Sequence, residues 1–205
     1  MIPFIAPNFT PMPIFFTSFG AAGTVTGSKH LMEVRGESGV FRVLLDCGMF
    51  QGEALRDVRH DPNRSFGFDP REIDVLVLSH AHIDHSGLVP RLVAEGYQGP
   101  IWSTPATRDL CAIMLMDSAH IQEYDYAFEV KRAGKRGREA EVEGPLYTKE
   151  DVQPAMELFR TTGYEDPVEI GPGITLTYTD AGHILGSAAV HLDIRNEGRT
   201  LRFTF

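Results

Sequence analysis

Cysteine is scarce: Cys47 and Cys111 are the only two in 205 residues. Two are too few for the disulfide framework of a small secreted domain and point to a reducing compartment. Long apolar runs are missing as well, and nothing approaches the roughly 18 consecutive apolar residues of a membrane-spanning helix. The apolar start is interrupted by Pro3, Pro7, Pro11 and Pro13. It has no basic stretch and no small-residue cleavage site, so it does not read as a signal peptide. Positive charge is in deficit, with 19 Lys and Arg against 28 Asp and Glu, a net of −9. That balance runs against the basic footprint of a nucleic-acid binder, although a metal site also gathers carboxylates whose charge its cations offset. Repeats and low-complexity tracts are absent. With no secretion signal, the sequons at Asn8 and Asn63 are chance matches. What remains is a soluble, cytoplasmic, acidic globular chain whose 42% hydrophobic content supports a core.

Short β-like runs dominate the first third: Phe15–Phe19, His30–Arg35 and Val40–Asp46. The glycine-rich turn Gly20–Gly27 between the first two lacks the ending of a phosphate loop and the spacing of a dinucleotide fingerprint. It is a connecting loop or a place of close backbone approach. Asp74–Ser79 is a continuous apolar run, the pattern of a strand buried on both faces. A helix is expected from Ser86 to Glu95, stopped by Gly96. Thr104-Pro105 opens a long helix to about Tyr126. A capping-box-like Thr148–Asp151 starts another to Phe159, with Pro154 marking a kink. Strands follow at Ile174–Thr179, Ala188–Ile194 and Thr200–Phe205, the last two joined by a hairpin at Asn196-Glu197-Gly198. Strands interleaved with helices predict a layered α/β (α+β) fold.

Chemistry concentrates in His80-Ala81-His82-Ile83-Asp84-His85, directly after the buried run. Side chains two apart on extended backbone point the same way, so His80 and His82 can converge on one ion. Asp84 and His85 then enter the following turn and can face a second. Neutral imidazoles with a carboxylate suit Zn²⁺ or Mn²⁺ better than Ca²⁺ or Mg²⁺. His183, flanked by Gly182 and Gly186 beyond another strand, would complete a set of three with His80 and His82. Asp46 ends a strand of its own; orienting a ligand histidine through its second nitrogen is favoured over direct ligation or a plain turn role. Cys47 reads as a small buried residue. His30, His60, His120 and His191 have no ligand-like neighbours and read as structural or solvated. The basic run Lys131–Arg138 reads as a solvated loop, with phosphate contact as the sharper alternative.

The hexapeptide is the His-x-His-x-Asp-His signature of the metallo-β-lactamase superfamily. Leu45–Gly52, Leu78–Gly87, Pro145–Asp151 and Ala181–Ala188 together resemble its β-CASP branch of nucleic-acid-processing enzymes, over about Phe16–Phe205. The resemblance implies a four-layer αβ/βα sandwich with two Zn²⁺ ions that hydrolyses RNA phosphodiesters, single strands in particular. It puts His80, His82 and His183 on one zinc and Asp84 and His85 on the other, with Asp46 supporting and Asp84 also orienting the attacking hydroxide. The family's bridging aspartate, cap domain and late histidines have no counterpart here. The expectation is therefore a proline-rich leader (1–13) and the amino-terminal part (14–205) of such a domain, with weak single-zinc binding and no turnover by itself. Two alternatives stay open: a hydrolase of a small thioester, lactone or phosphonate, and a non-catalytic RNA-processing scaffold.

Overall fold

The computed structural model describes residues 14–36, 39–52, 61–135, 143–196 and 199–205. The proline-rich leader, the Asn8 sequon, His60, Arg136–Arg138 and the hairpin residues Glu197 and Gly198 lie outside them. A six-stranded sheet takes β1 (Ile14–Ser18), β2 (His30–Gly36), β3 (Gly39–Leu45), β4 (Val75–Val77), β5 (Ile101–Ser103) and β6 (Phe159–Thr161) in that spatial order. β1, β2 and β3 pair antiparallel, and β3 to β6 run parallel. A second, antiparallel sheet has the order β10 (Arg199–Thr204), β9 (Ala188–Asn196), β8 (Ile174–Asp180), β7 (Val168–Gly171).

Period-two alternation builds the layers. On the first sheet, Leu31, Leu44, Leu76 and Leu78 face one way, into a core shared with the helices. Met32, Val34, Val43, Leu45, Val75 and Val77 face the other way and meet Ile174, Leu176, Tyr178, Val190, Leu192 and Ile194 of the second sheet. Both faces are covered, which is why the central run reads as continuously apolar. Helices, first sheet and second sheet form three layers of a sandwich; the second sheet's other face carries Thr175, Thr177, His191 and Asp193.

The helices are α1 (Ile83–Ser86), α2 (Val89–Ala94), α3 (Pro105–Lys135) and α4 (Lys149–Glu157). In place of the helix expected from Ser86 to Glu95 stand two short helices that break between Ser86 and Val89, because the Leu88 N–H bonds Cys47 O at 2.9 Å and Pro90 has no N–H to continue the ladder. Gly96 closes α2 at φ 111°, a conformation that favours glycine. Thr104 caps α3 by accepting the Thr107 N–H at 3.2 Å. α3 runs past Tyr126 to Lys135, so Lys131–Lys135 of the basic run are helical and not loop. Its buried face carries Thr107, Cys111, Leu115 and Ala119. Exposed Ile113, Ile121, Tyr124 and Phe128 lie on the opposite side, so α3 is apolar on two faces. At α4, Asp151 accepts from the Thr148 N–H at 2.7 Å and its hydroxyl at 2.8 Å. The helix continues past Pro154. Both cysteines are free and buried in the helix-side core; burial pushes each thiol up to about 12.

Candidate metal centre

Three loops meet at one end of the sheets. The first follows β4. Ser79, at its start, donates its N–H to Asp46 at 2.8 Å. His82 is the residue before α1, and its carbonyl accepts the first helical N–H groups, from His85 and Ser86, both at 2.9 Å. Its imidazole is therefore free to turn toward His80. Asp84 occupies the first turn of α1, where a carboxylate complements the N-terminal end of the peptide dipoles.

The second loop follows β3 and is locked to the first along its backbone. Cys47 N–H reaches His85 O at 2.8 Å, Met49 N–H reaches Ile83 O at 3.0 Å, and Leu88 N–H reaches Cys47 O at 2.9 Å. The fit leaves no space at Gly48, where a Cβ would lie 1.7 Å from the Asp84 carbonyl oxygen. Asp46 opens this loop at φ 58°, a left-handed conformation that Asp tolerates better than most residues. The glycine-rich turn is a loop pinched at its base, since a Cβ on Gly20 would sit 1.8 Å from Gly27 O. Beyond it, Ser28 N–H reaches the Asp84 carbonyl at 2.8 Å.

The third loop joins β8 to β9 and carries His183. Ser187 Oγ accepts the N–H of His183 at 3.1 Å and of Ile184 at 3.2 Å. Gly186 O accepts the hydroxyls of Thr104 and Thr107 at 2.7 and 2.9 Å, pinning the loop to the start of α3. Gly186 combines φ 82° with no space for a side chain, which gives this glycine a physical reason.

The structure brings His80, His82 and His183 together, with one ligand atom from each within 4.8 Å of the others. His80 Nε2 lies 3.1 Å from His82 Nδ1, and His183 Nε2 lies 3.2 Å from the same atom. Two Zn–N bonds of about 2.05 Å at a tetrahedral angle separate their nitrogens by about 3.3 Å, so the trio fits one such ion. Burial, helped by the neighbouring His85, pushes the His80 pKa down to about 4, against the pull of Asp46. His80 is therefore neutral at physiological pH, with a lone pair to offer. Its Nδ1 lies 3.0 Å from Ser79 Oγ, which holds the proton on that side and leaves Nε2 bare.

Asp84 and His85 form a separate pair, Oδ2 to Nε2 at 3.8 Å. Among the described residues no third ligand-type side chain joins them. His85 turns its other nitrogen to Asp46, Nδ1 to Oδ2 at 2.7 Å. Burial draws the His85 pKa down, but the hydrogen bond to Asp46 and the charges of Asp46 and Asp84 outweigh it, and the net shift is upward. Asp46 is wholly buried. It also accepts the Ser79 hydroxyl at 2.9 and 3.0 Å and the Ser28 hydroxyl at 3.0 Å. It lies behind His85 and not in the cluster of three.

Of the remaining histidines, His30 bonds Ser18 and stacks on Phe16, and His191 sits between Thr179 and Thr204. Asn63 is buried and exchanges two hydrogen bonds with the Phe50 backbone, which leaves its sequon no role as a modification site. The sequence reading passed over Ser28, Ser79 and Lys29. Lys29 is fully buried, with its Nζ 2.8 Å from Gly48 O and 4.5 Å from the centre of the Phe50 ring. Burial lowers its pKa.

Comparison with known proteins finds a family model described as metallo-beta-lactamase superfamily matching residues 33–186. Ribonuclease TTHA0252 of Thermus thermophilus is 40% identical over 187 residues, covering 91% of this chain and 36% of the relative. Transcription termination factor FttA of Methanosarcina mazei is 34% identical over 165 residues, covering 80% of this chain and 23% of the relative. The chain thus spans about a third or less of the length of these relatives. Among solved structures, a metallo-β-lactamase mutant of Cronobacter sakazakii superposes with a TM-score of 0.50 at 18% identity, covering 94% of this chain and 62% of that one. At that identity the likeness concerns the fold alone.

Proposed function

The chain belongs to the metallo-β-lactamase superfamily, and from that premise we propose that the full-length protein is a zinc-dependent ribonuclease of the β-CASP branch, acting on single-stranded RNA. The observation that carries this reading is the convergence of His80 Nε2, His82 Nδ1 and His183 Nε2. The names of the relatives, a ribonuclease and a transcription termination factor, support RNA as the substrate class.

On this reading His80, His82 and His183 would hold one zinc, and Asp84 and His85 would contribute to a second. Bound zinc supplies Lewis acidity toward a phosphodiester and lowers the pKa of water toward neutrality. The chain's own residues do the rest. Asp46 accepts the Nδ1–H of His85 and Ser79 Oγ that of His80, so both Nε2 lone pairs face the centre. Asp84 Oδ2 would accept a hydrogen bond from the attacking water and orient it for in-line displacement at phosphorus. The buried backbone clamp between the loops after β3 and β4 fixes these groups before substrate arrives, the requirement for electrostatic preorganisation.

The test is zinc content together with cleavage of a single-stranded RNA by the full-length protein, wild type beside His82→Ala. Loss of both bound zinc and cleavage is expected, because His82 Nδ1 is the atom shared by the two short contacts. Cleavage undiminished in the variant would overturn the reading.

A further inference from the structure

Next to the histidine cluster lies a cavity of about 450 Å³ whose lining includes Thr104, Pro105, Tyr164, Asp180, His183 and Leu185. His183 is common to the cavity and the cluster, so whatever fills the one lies within a nucleoside's reach of the other. The volume falls in the range of small-molecule sites. Tyr164 is 41% exposed and Leu185 74% exposed, so both present apolar surface beside the cluster of imidazoles.

The walls are preorganised. Tyr164 donates its hydroxyl to Ser187 O at 2.9 Å, which fixes the ring. Ser187 also holds the His183 N–H, so the ring and the cluster are tied through one residue. Asp180 accepts the Gly182 N–H on Oδ1 at 2.8 Å, while Oδ2 has no partner among the described residues. Glycines at 163 and 182 contribute no side chains, leaving the mouth open.

This combination selects an occupant. A free carboxylate oxygen repels phosphate, so the phosphodiester itself belongs at the histidines and not in the cavity. An aromatic face with an adjacent hydrogen-bond acceptor suits a flat heterocycle bearing N–H donors, the means by which single-stranded RNA bases are read. We infer that this cavity is a nucleobase pocket, with Tyr164 as the stacking face and Asp180 Oδ2 accepting from the exocyclic amino group of cytosine, adenine or guanine. Uracil, which presents carbonyl oxygens on either side of its one ring N–H donor, is the disfavoured base. The inference rests on the reading of the neighbouring centre as ribonucleolytic, and it assigns that centre a base preference.

The experiment uses the metal-free full-length protein and nucleoside 5′-monophosphates, with binding followed by calorimetry; zinc-loaded protein is then assayed on oligoribonucleotides varied at one base. CMP, AMP and GMP are expected to bind more tightly than UMP, and Asp180→Asn to erase that order. Tyr164→Leu is expected to weaken all four by about tenfold, the scale of one lost base–aromatic stack. Tyr164→Phe, which keeps the ring, is expected to retain binding and so separates stacking from a disturbed His183 loop. Equal binding of UMP and CMP by the wild type, or an unchanged order in Asp180→Asn, would overturn the pocket. Amino-base-selective binding by a protein that cleaves no RNA would support the pocket and overturn the ribonuclease reading instead.

Discussion

Asp46→Asn separates the orienting role proposed for Asp46 from the ligand roles proposed for the histidines. The wild-type carboxylate is wholly buried and takes hydrogen bonds only from donors: Ser79 N–H at 2.8 Å on Oδ1, and Ser28 Oγ at 3.0 Å and His85 Nδ1 at 2.7 Å on Oδ2. Asparagine has the same shape and tolerates the same positive φ. Its amide oxygen must take the Oδ1 position, because the Ser79 N–H can only donate. The NH₂ then occupies the Oδ2 position. Ser28 can rotate its hydroxyl to accept, but His85 can accept at Nδ1 only by moving its proton to Nε2. That is the nitrogen 3.8 Å from Asp84, so the lone pair proposed for metal is lost. Loss of such an outer partner lowers metal affinity by about 10–100-fold, or roughly 1.4–2.7 kcal/mol. Replacing the charged acceptor should also destabilise the metal-free fold by about 1.5–3 kcal/mol. The trio should be spared, since Ser79 Oγ can keep donating to the Oδ1 position at 2.9 Å and keep holding His80 Nδ1. A two-site competition titration of zinc against a chromogenic chelator reads the affinities, and urea melts of the metal-free protein read the stability. Unchanged affinity at both sites, or a loss confined to the site of His80, His82 and His183, would refute the reasoning.

Two further perturbations probe the scaffold. Burial holds the Lys29 pKa below its usual 10.5, so between the folded and unfolded values the unfolded chain binds more protons and stability rises with pH. Lys29→Met should remove that rise, so that wild type gains on the variant in urea melts as pH climbs toward 10.5; parallel curves would show that Lys29 is not desolvated as described. Tyr178 is fully buried with no hydrogen-bond partner for its hydroxyl among the described residues. Tyr178→Phe should leave stability equal or higher, by up to about 1–3 kcal/mol; a clear loss in the same melts would mean that the hydroxyl is satisfied.

The parts of the fold legible in the sequence were those with a period or an apolar run long enough to read. Ile174–Asp180 alternates over seven residues, and its buried positions follow that alternation. The strands at Ile101–Ser103 and Phe159–Thr161 have three residues each, too few for any period; the first forms on the parallel edge that β4 offers and the second on the edge that β5 then offers. The length of α3 escaped for another reason. Its second apolar stripe, opposite the buried one, blurs the single-faced pattern that marks where a helix leaves the core.

The metal centre divides in the same way. His80, His82, Asp84 and His85 lie within one short segment, so extended-backbone geometry alone says that His80 and His82 can converge and that Asp84 and His85 follow in the next turn. Asp46 was visible as a carboxylate at the end of a strand, and its neighbours explain what made it more than that. Ser28, Asp46 and Ser79 come from the loops before β2, after β3 and after β4, and only the pairing of β2 with β3 and of β3 with β4 delivers them to one point. A serine in a loop looks like any other until that register is known. The same holds for Lys29, whose charge argues for exposure but whose position, one residue before β2, faces it into the loop that carries Asp46. The grouping of His80, His82, Asp84 and His85 is therefore a local property of the chain, while the arrival of His183 and the protonation of these histidines are properties of the fold. A substitution that slipped β3 against β4 by one residue would leave every ligand type in place and still move Asp46 off His85, because side chains alternate faces along a strand.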